Sequence, residues 1–483
     1  MTESEHEHQF GEARLVVASN RGPLSIDVTD DGDDKISRGS GGLVSGMQSA
    51  LIASPHAVWI CAAMNERERA IAKQVTGGRL SEVPAIAEAL AGDFDVVMQP
   101  IDPQTFRYAY NGIANSTLWF LLHMLYAPAR TPVFDMQWRR QWSAYDRFNR
   151  SIADAIAREA ADGATVMVQD YHLLLVPRML RDLRPDLRIG HFTHTPWVSP
   201  DYFRMLPDDV ARALIDGMMG ADLLGFHTRG WADQFAECCV DVLGEHPGGR
   251  VKVFGLTTDT DQIRERGGRR DVEAAMRKLR DIVGDRKLIS RVDRTELSKN
   301  VFRGLLAYRE LLRRWPHWRG KVVHAVFDYP SREDVPEYRE YIAAVERLAQ
   351  EIDDEFGDED WSPLILEIKQ DYPAALASLR MADVVFVNPI RDGMNLVVLE
   401  GAVLADGEPA VVLSRTAGAA DLLGDDALLV NPFDINQTAD ALHHALSMPD
   451  AQRTARAKRL RLAAGSLPPD AWFQAQLDAL GTS

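Results

Sequence analysis

Short, nearly unbroken apolar runs recur along this chain, with segments of helical period between them. The first half carries Leu15–Ala18, Val58–Cys61, Val96–Met98, Val166–Val168, Ile189–Phe192 and Leu223–Phe226. The second carries Val322–Phe327, Leu364–Leu366, Val384–Val387, Ala410–Leu413 and Leu428–Val430. Strands that are apolar on both faces belong in a parallel sheet with helices on each side, so this pattern predicts an α/β architecture. Helical periodicity is clearest over residues 145–160, 301–314 and 338–356. At 483 residues the chain exceeds one ordinary domain. The boundary is expected between Gly244 and Gly284, where a turn-rich Glu245–Gly249 precedes a highly charged stretch, residues 259–280. That reading gives a frayed tail at 1–12 and domains at 13–253 and 254–455, each with its own strands.

Composition narrows the function classes. A net charge of −17 argues against general nucleic-acid binding and against anionic membrane surfaces. No apolar run approaches the roughly 18 residues that a membrane span needs. The three cysteines, two of them adjacent, form neither a disulfide framework nor a zinc-binding spacing, which fits a reducing cytoplasm. Met1–His8 lacks the charged and apolar regions of a secretion signal. A phosphorylated small ligand stays open, because a local cluster of cations overrides a distant negative field.

Polar residues with chemical potential fall where the apolar runs end. Arg21 follows the first run in Ser19-Asn20-Arg21-Gly22, placed to bind a phosphate with two hydrogen bonds; a surface ion pair is the plainer reading. Gly39-Ser40-Gly41-Gly42 opens a helix, which permits close backbone approach and favours an anion. The Gly-x-Gly-x-x-Gly dinucleotide fingerprint is absent. Tyr110 to Trp119 offers rings and amides suited to a sugar, or to core packing and capping. Asp170 and His194 end two different runs and so are expected at one sheet edge. Arg294 and Lys299 lie five apart at a strand-to-helix junction, a pattern fit for a diphosphate, and Arg332 is a further phosphate candidate. After Val384–Val387 comes Asn388-Pro389-Ile390-Arg391-Asp392-Gly393-Met394-Asn395-Leu396, then Glu400 at helical spacing: an acid, a flexible glycine and free N–H groups at a helix start. No metal-ligand spacing and no nucleophile elbow is present.

Taken in order, Ser19-Asn20-Arg21, Gly41-Gly42-Leu43, Gln169-Asp170-Tyr171-His172-Leu173-Leu174, His194-Thr195-Pro196-Trp197, Arg391-Asp392-Gly393-Met394-Asn395-Leu396, Ser414–Ala419 and Val430–Asp434 resemble the trehalose-6-phosphate synthases, the retaining glycosyltransferases of family twenty. The resemblance runs from about Leu15 to the C-terminal end. It implies the GT-B architecture, two Rossmann-like domains facing a deep cleft, with residues 456–483 packing back toward the first. It implies transfer of glucose from GDP-glucose or UDP-glucose to glucose 6-phosphate, with retention, no cofactor and no catalytic metal. By the same resemblance Arg21, Tyr110, Trp119, Asp170 and Arg332 would hold the acceptor. Gly41, Gly42, His194, Arg294, Lys299, Asp392, Gly393, Met394, Asn395, Leu396 and Glu400 would hold the donor. Asp170, His194, Arg294 and Lys299 would carry the chemistry. A homo-oligomer is left open.

The chain also departs from that family. Arg294-Thr295-Glu296-Leu297-Ser298-Lys299-Asn300 replaces the usual Arg-Leu-Asp-Tyr-Ser/Thr-Lys-Gly, as in an actinobacterial-type branch for which GDP-glucose is a plausible donor. Leu399 stands where Lys is usual, which would remove a cation beside the donor pocket. Alternatives are therefore a transferase making glucosylglycerol phosphate, a validamycin-type enzyme coupling cyclitols, or a silent regulatory homologue. Met394, where the validamycin-type branch usually has Gln, favours the synthase.

Overall fold

The computed structural model describes residues 11–29, 32–39, 42–54, 56–90, 94–332 and 335–481. Gly41 and the first ten residues, both subject to expectations above, lie outside that set. The chain divides into two compact units. Unit 1 comprises Met1–Leu122, Tyr126–Gly255 and Pro469–Ser483, and unit 2 comprises His123–Leu125 and Leu256–Pro468, each over its described residues.

In unit 1 the strands are β1 (Ala13–Ala18), the antiparallel pair β2 (Leu24–Val28) and β3 (Asp34–Arg38), β4 (Val58–Ala62), β5 (Asp95–Gln99), β6 (Ala160–Gln169), β7 (Arg188–Thr193), β8 (Leu223–Phe226) and β9 (Val251–Val253). Its sheet is parallel, in the order β5-β4-β1-β6-β7-β8-β9. Unit 2 carries β10 (Lys287–Arg294), β11 (Val322–Tyr329), β12 (Leu364–Ile368), β13 (Val384–Val387), β14 (Ala410–Ser414) and β15 (Leu428–Val430). They form a parallel sheet in the order β12-β11-β10-β13-β14-β15. Each sheet grows outward on one side of its first strand, then resumes on the other. The strand order thus reverses between β1 and β6, and between β10 and β13. In open parallel sheets, ligands bind outside the carboxyl ends of the strands at that reversal.

Every apolar run named above lies within a strand, and most of the side chains are buried, less so in the sheet-edge runs Leu364–Leu366 and Leu428–Val430. The helix expected over 301–314 spans Val301–Arg314, and that over 338–356 begins at Pro336, a favoured first helical position. The helix expected from 145 starts earlier, at Met136, where the Asp135 side chain accepts from the Trp138 N–H. The strand pair β2–β3 was not expected, because its alternating burial leaves no apolar run.

The C-terminal segment differs from expectation. Residues 450–464 form a helix whose Ala457, Leu460 and Ala464, spaced three and four apart, are buried; Leu460 and Ala464 belong to the apolar core of unit 2. The return to unit 1 begins only at Pro469. There the helix Pro469–Ala479 buries Trp472 and Phe473, and the Trp472 indole donates to the Phe254 carbonyl at 3.2 Å.

Candidate active site

In unit 1 the candidate groups collect after β1, β6 and β7. Arg21 is exposed three residues past the end of β1 and donates to the Tyr110 hydroxyl at 3.2 Å. Tyr110 stacks between Phe106 and His172, with centroids at 5.2 and 5.7 Å. It belongs to Tyr108–Leu118, a segment wound with i→i+5 spacing, in which Ser116 Oγ donates to the Asn111 carbonyl and Thr117 Oγ1 to that of Gly112. Such winding is rare and concentrates at functional sites. Gly112 permits the approach of the neighbouring long helix, since a Cβ there would stand 2.6 Å from the Gln141 side chain. Trp119 closes the segment, buried against Tyr171 at 5.6 Å.

Asp170 follows β6 at φ +72° and ψ 172°, a conformation that L residues avoid and that costs on the order of 1–3 kcal/mol. Two contacts hold it there: its N–H donates to the Phe192 carbonyl at 2.7 Å, and its carboxylate accepts from the His194 N–H at 3.1 Å. Strands β6 and β7 therefore fix Asp170 and His194 relative to each other. The His194 ring lies with Nε2 3.0 Å from the Gln169 side-chain oxygen and Nδ1 3.3 Å from His227 Nε2. Burial, reinforced by His227 and His191, holds its pKa well below the ordinary histidine value. His194 is therefore a neutral imidazole at physiological pH. Burial likewise takes His191 down to about 4. Trp472, from the returning C-terminal helix, packs on His194 at 5.7 Å and on Phe192 at 4.8 Å.

In unit 2 the groups collect after β10, β11 and β13. Lys299 Nζ lies 2.5 Å from Asp392 Oδ2, and both side chains are largely buried. Asn395 donates to the same oxygen at 3.0 Å. Burial opposes charge on both partners, yet each stabilises the other: Asp392 is held below its ordinary pKa and Lys299 above. Asn395 sits at φ +75° and caps the helix Leu396–Leu404 by accepting from the Val398 N–H. The turn before it is seated on residues 416–419. Asp392 and Met394 accept from the N–H groups of Gly418 and Ala419, and a Cβ on Gly418 would collide with the Gly393 carbonyl at 2.0 Å.

Arg294 is half exposed and pairs with the buried Glu296 at 3.0 Å. Arg332 lies 3.8 Å from the same carboxylate and donates to the Tyr338 hydroxyl at 2.7 Å. Burial opposes the charge of Glu296, but Arg294, Arg332 and Lys299 hold its carboxyl below the usual range. Two cations therefore share one carboxylate. Glu400 sits partly buried on the 396–404 helix, where burial pushes its carboxyl up to about 7. Gly42 opens the helix Gly42–Ala53 as expected.

Residues 13–481 match the description of Glycosyltransferase family 20. The chain belongs to this family. Across 474 residues it is 32% identical to the alpha,alpha-trehalose-phosphate synthase [UDP-forming] of Schizosaccharomyces pombe, covering 92% of this chain and 86% of that one. Among solved structures it is similar to the E. coli protein bound with UDP-2-fluoro glucose, with a TM-score of 0.83, 27% identity and coverage of 98% and 99%. It is also similar to the UDP-forming synthase of Burkholderia xenovorans in complex with glucose-6-phosphate, with a TM-score of 0.79, 27% identity and coverage of 97% and 100%. This family 20 chain is thus a glycosyltransferase of the GT-B class, with one parallel sheet in each unit.

Leu399, where Lys is usual, is completely buried in the apolar core of unit 2. Gln169, His227 and Trp472 around His194 were not foreseen. His227 directly follows β8, so the strand-end rule that singled out His194 finds it too. Among the described residues, no group of three or more His, Cys, Asp or Glu is arranged to hold a metal ion, and no helix is long and apolar enough to cross a membrane.

Proposed function

We propose that this chain transfers glucose from a nucleoside diphosphate glucose, GDP-glucose or UDP-glucose, to glucose 6-phosphate. The product is α,α-trehalose 6-phosphate, formed with retention of the donor's configuration. The observation that carries this reading is the set of cations after β10 and β11. Lys299 is held on Asp392, while Arg294 and Arg332 share the buried Glu296. Fixed positive groups at a sheet reversal suit a diphosphate and a sugar phosphate. The relatives' names and the ligands in the two solved structures support a uridine diphosphate sugar as donor and glucose 6-phosphate as acceptor.

In this reading Arg294 and Lys299 grip the donor diphosphate, and Asp392 with the Gly393–Leu396 backbone binds glucose hydroxyls and phosphate. Glu400 binds the ribose, and Gly42 approaches the donor through its backbone. His194 contacts the donor sugar as a neutral imidazole, so it donates or accepts a hydrogen bond without bringing a positive charge to the anomeric carbon. Arg21 and Arg332 hold the acceptor's 6-phosphate, while Tyr110, Trp119 and Asp170 hold its sugar. The acceptor's anomeric hydroxyl oxygen attacks the donor's anomeric carbon on the face from which the diphosphate leaves. The carbon–oxygen bond to the β-phosphate breaks, and the departing phosphate oxygen takes the hydroxyl proton. No covalent enzyme intermediate is invoked. Catalysis is then positioning plus charge stabilisation on the leaving diphosphate.

The test offers GDP-glucose and UDP-glucose in turn, first with glucose 6-phosphate and then with glycerol 3-phosphate, and identifies products by mass spectrometry and anomeric NMR. The expected result is an α,α-linked disaccharide phosphate that forms only with glucose 6-phosphate. Product with glycerol 3-phosphate alone, or acceptor-independent nucleotide release, would overturn the proposal.

A further inference from the structure

Strand β10 holds charged side chains in a place where a core strand ordinarily holds none. Arg291 is completely buried, its guanidinium 5.5 Å from the centre of the Phe386 ring. It pairs with Asp293 at 3.0 Å and donates to the Asn388 side-chain oxygen and to the backbone carbonyl of Lys299. Asn300, almost fully buried at φ +63°, donates through one amide nitrogen to the carbonyls of Asn388 at 2.9 Å and Pro432 at 2.8 Å. Gly304 makes the room: a Cβ there would stand 2.6 Å from a guanidinium nitrogen of Arg291 and 3.2 Å from the Asn388 side-chain oxygen. A third link runs from the Ile390 N–H to the Ser298 carbonyl at 2.8 Å. Buried polar groups thus stitch the turn that carries Lys299 onto the turn that leads to Asp392.

This stitching bears on Lys299 itself. A lysine ammonium ends a flexible four-carbon stem, so its position depends on where its backbone is held. A misplacement of about 1 Å can cost about 100-fold in rate. Burying a guanidinium is a poor route to stability, because desolvation offsets what pairing contributes.

We propose that Arg291 and Asn300 are positioning residues for the donor diphosphate: they lock the Lys299 turn to the 388–392 turn and so set where the Lys299 ammonium stands. The proposal rests on the reading of Lys299 as a diphosphate ligand. Asn300→Gly keeps the left-handed backbone allowed while removing the amide. Gly304→Ala displaces the Arg291 guanidinium and crowds the Asn388 side-chain oxygen without deleting any hydrogen-bonding group. Each is made in the full chain, alone and together with Lys299→Ala. GDP and UDP affinities are measured by calorimetry, kcat and both KM values by initial rates, and folding by circular dichroism and thermal melts.

Each single variant is expected to fold, to bind nucleoside diphosphate about tenfold more weakly and to leave the acceptor KM unchanged. In the Lys299→Ala background the same changes should alter affinity by less than about twofold, because they act through a group already removed. Equal losses in both backgrounds, or a rise in the acceptor KM of the same size, would assign Arg291 and Asn300 to general stability and overturn the proposal. If Lys299→Ala itself left nucleotide affinity and turnover unchanged, the reading of Lys299 would fall, and this inference with it. If only one variant folds, the cycle with that variant decides.

Discussion

The two units share a reversal of strand order in a parallel sheet but present different kinds of chemistry. In unit 1, besides Arg21 and Asp170, the groups that meet are mostly rings: Tyr110 between Phe106 and His172, and the neutral His194 among Gln169, His227 and Trp472. In unit 2 they are ions: Lys299 on Asp392, Arg294 and Arg332 on Glu296, Arg291 on Asp293. Burial acts on both sets, with opposite outcomes. A buried histidine without an opposite charge gives up its proton, whereas a buried lysine beside a carboxylate keeps its own. Rings and hydroxyl partners suit uncharged sugar faces, and fixed cations suit phosphates.

The contrast breaks first at Lys299. Lys299→Ala removes a preorganised charge from the proposed donor site, a loss on the order of 2–4 kcal/mol at the transition state, or roughly 30- to 10³-fold in kcat. The acceptor KM should change little, since most of the acceptor contacts proposed here lie in unit 1. Steady-state rates with each substrate varied in turn, with folding checked by circular dichroism, decide this. Undiminished turnover would remove the charged half of the comparison.

How much of this was legible beforehand follows from what a strand-end rule can see. Arg21, Asp170, His194, Arg294 and Asp392 all follow apolar runs or strand starts, and a parallel sheet must deliver such positions to one edge. The i→i+5 winding of Tyr108–Leu118 was not legible, because no hydrophobic period marks it. The polar half of β10 escaped for a related reason. Ser290, Arg291 and Asp293 are buried yet not apolar, and hydrophobic patterning cannot separate them from a surface turn. Trp472 beside His194 joins residues hundreds of positions apart, which no local pattern encodes.

The contrast sharpens with pH. His194 is neutral throughout the working range, so it contributes no limb near the ordinary histidine pKa. Glu400, raised to about 7, does titrate there. If its carboxylate accepts from the donor ribose, the donor KM should fall as pH rises from 6 to 8, by about tenfold, following the fraction ionised. Glu400→Gln should raise the donor KM and flatten this dependence. His194→Asn should lower kcat and leave the dependence intact. A limb that persists in Glu400→Gln would assign the titration to another group.

The smallest effect tests whether buried charge in unit 2 serves placement at the expense of stability. Asp293 and Asp328 face each other in register on β10 and β11, both almost fully buried, with Arg291 beside them. Burial, then the charge of Asp293, raises the Asp328 carboxyl to about 7. Between its ordinary value of 3.8 and about 7, the folded chain therefore holds a proton that the unfolded chain has released. Stability must fall as pH rises through that window, and it is fully present only below it. Asp328→Asn keeps the shape and removes this titration. Because Asp293 is relieved at the same time and Arg291 remains to pair with it, the net gain at pH 8 relative to pH 5 should be modest, about 1 kcal/mol. Urea denaturation at the two pH values measures it. An Asn variant whose stability tracked the wild type at both would show that the pair is already neutralised by Arg291, and that the ionic core of unit 2 carries no stability cost.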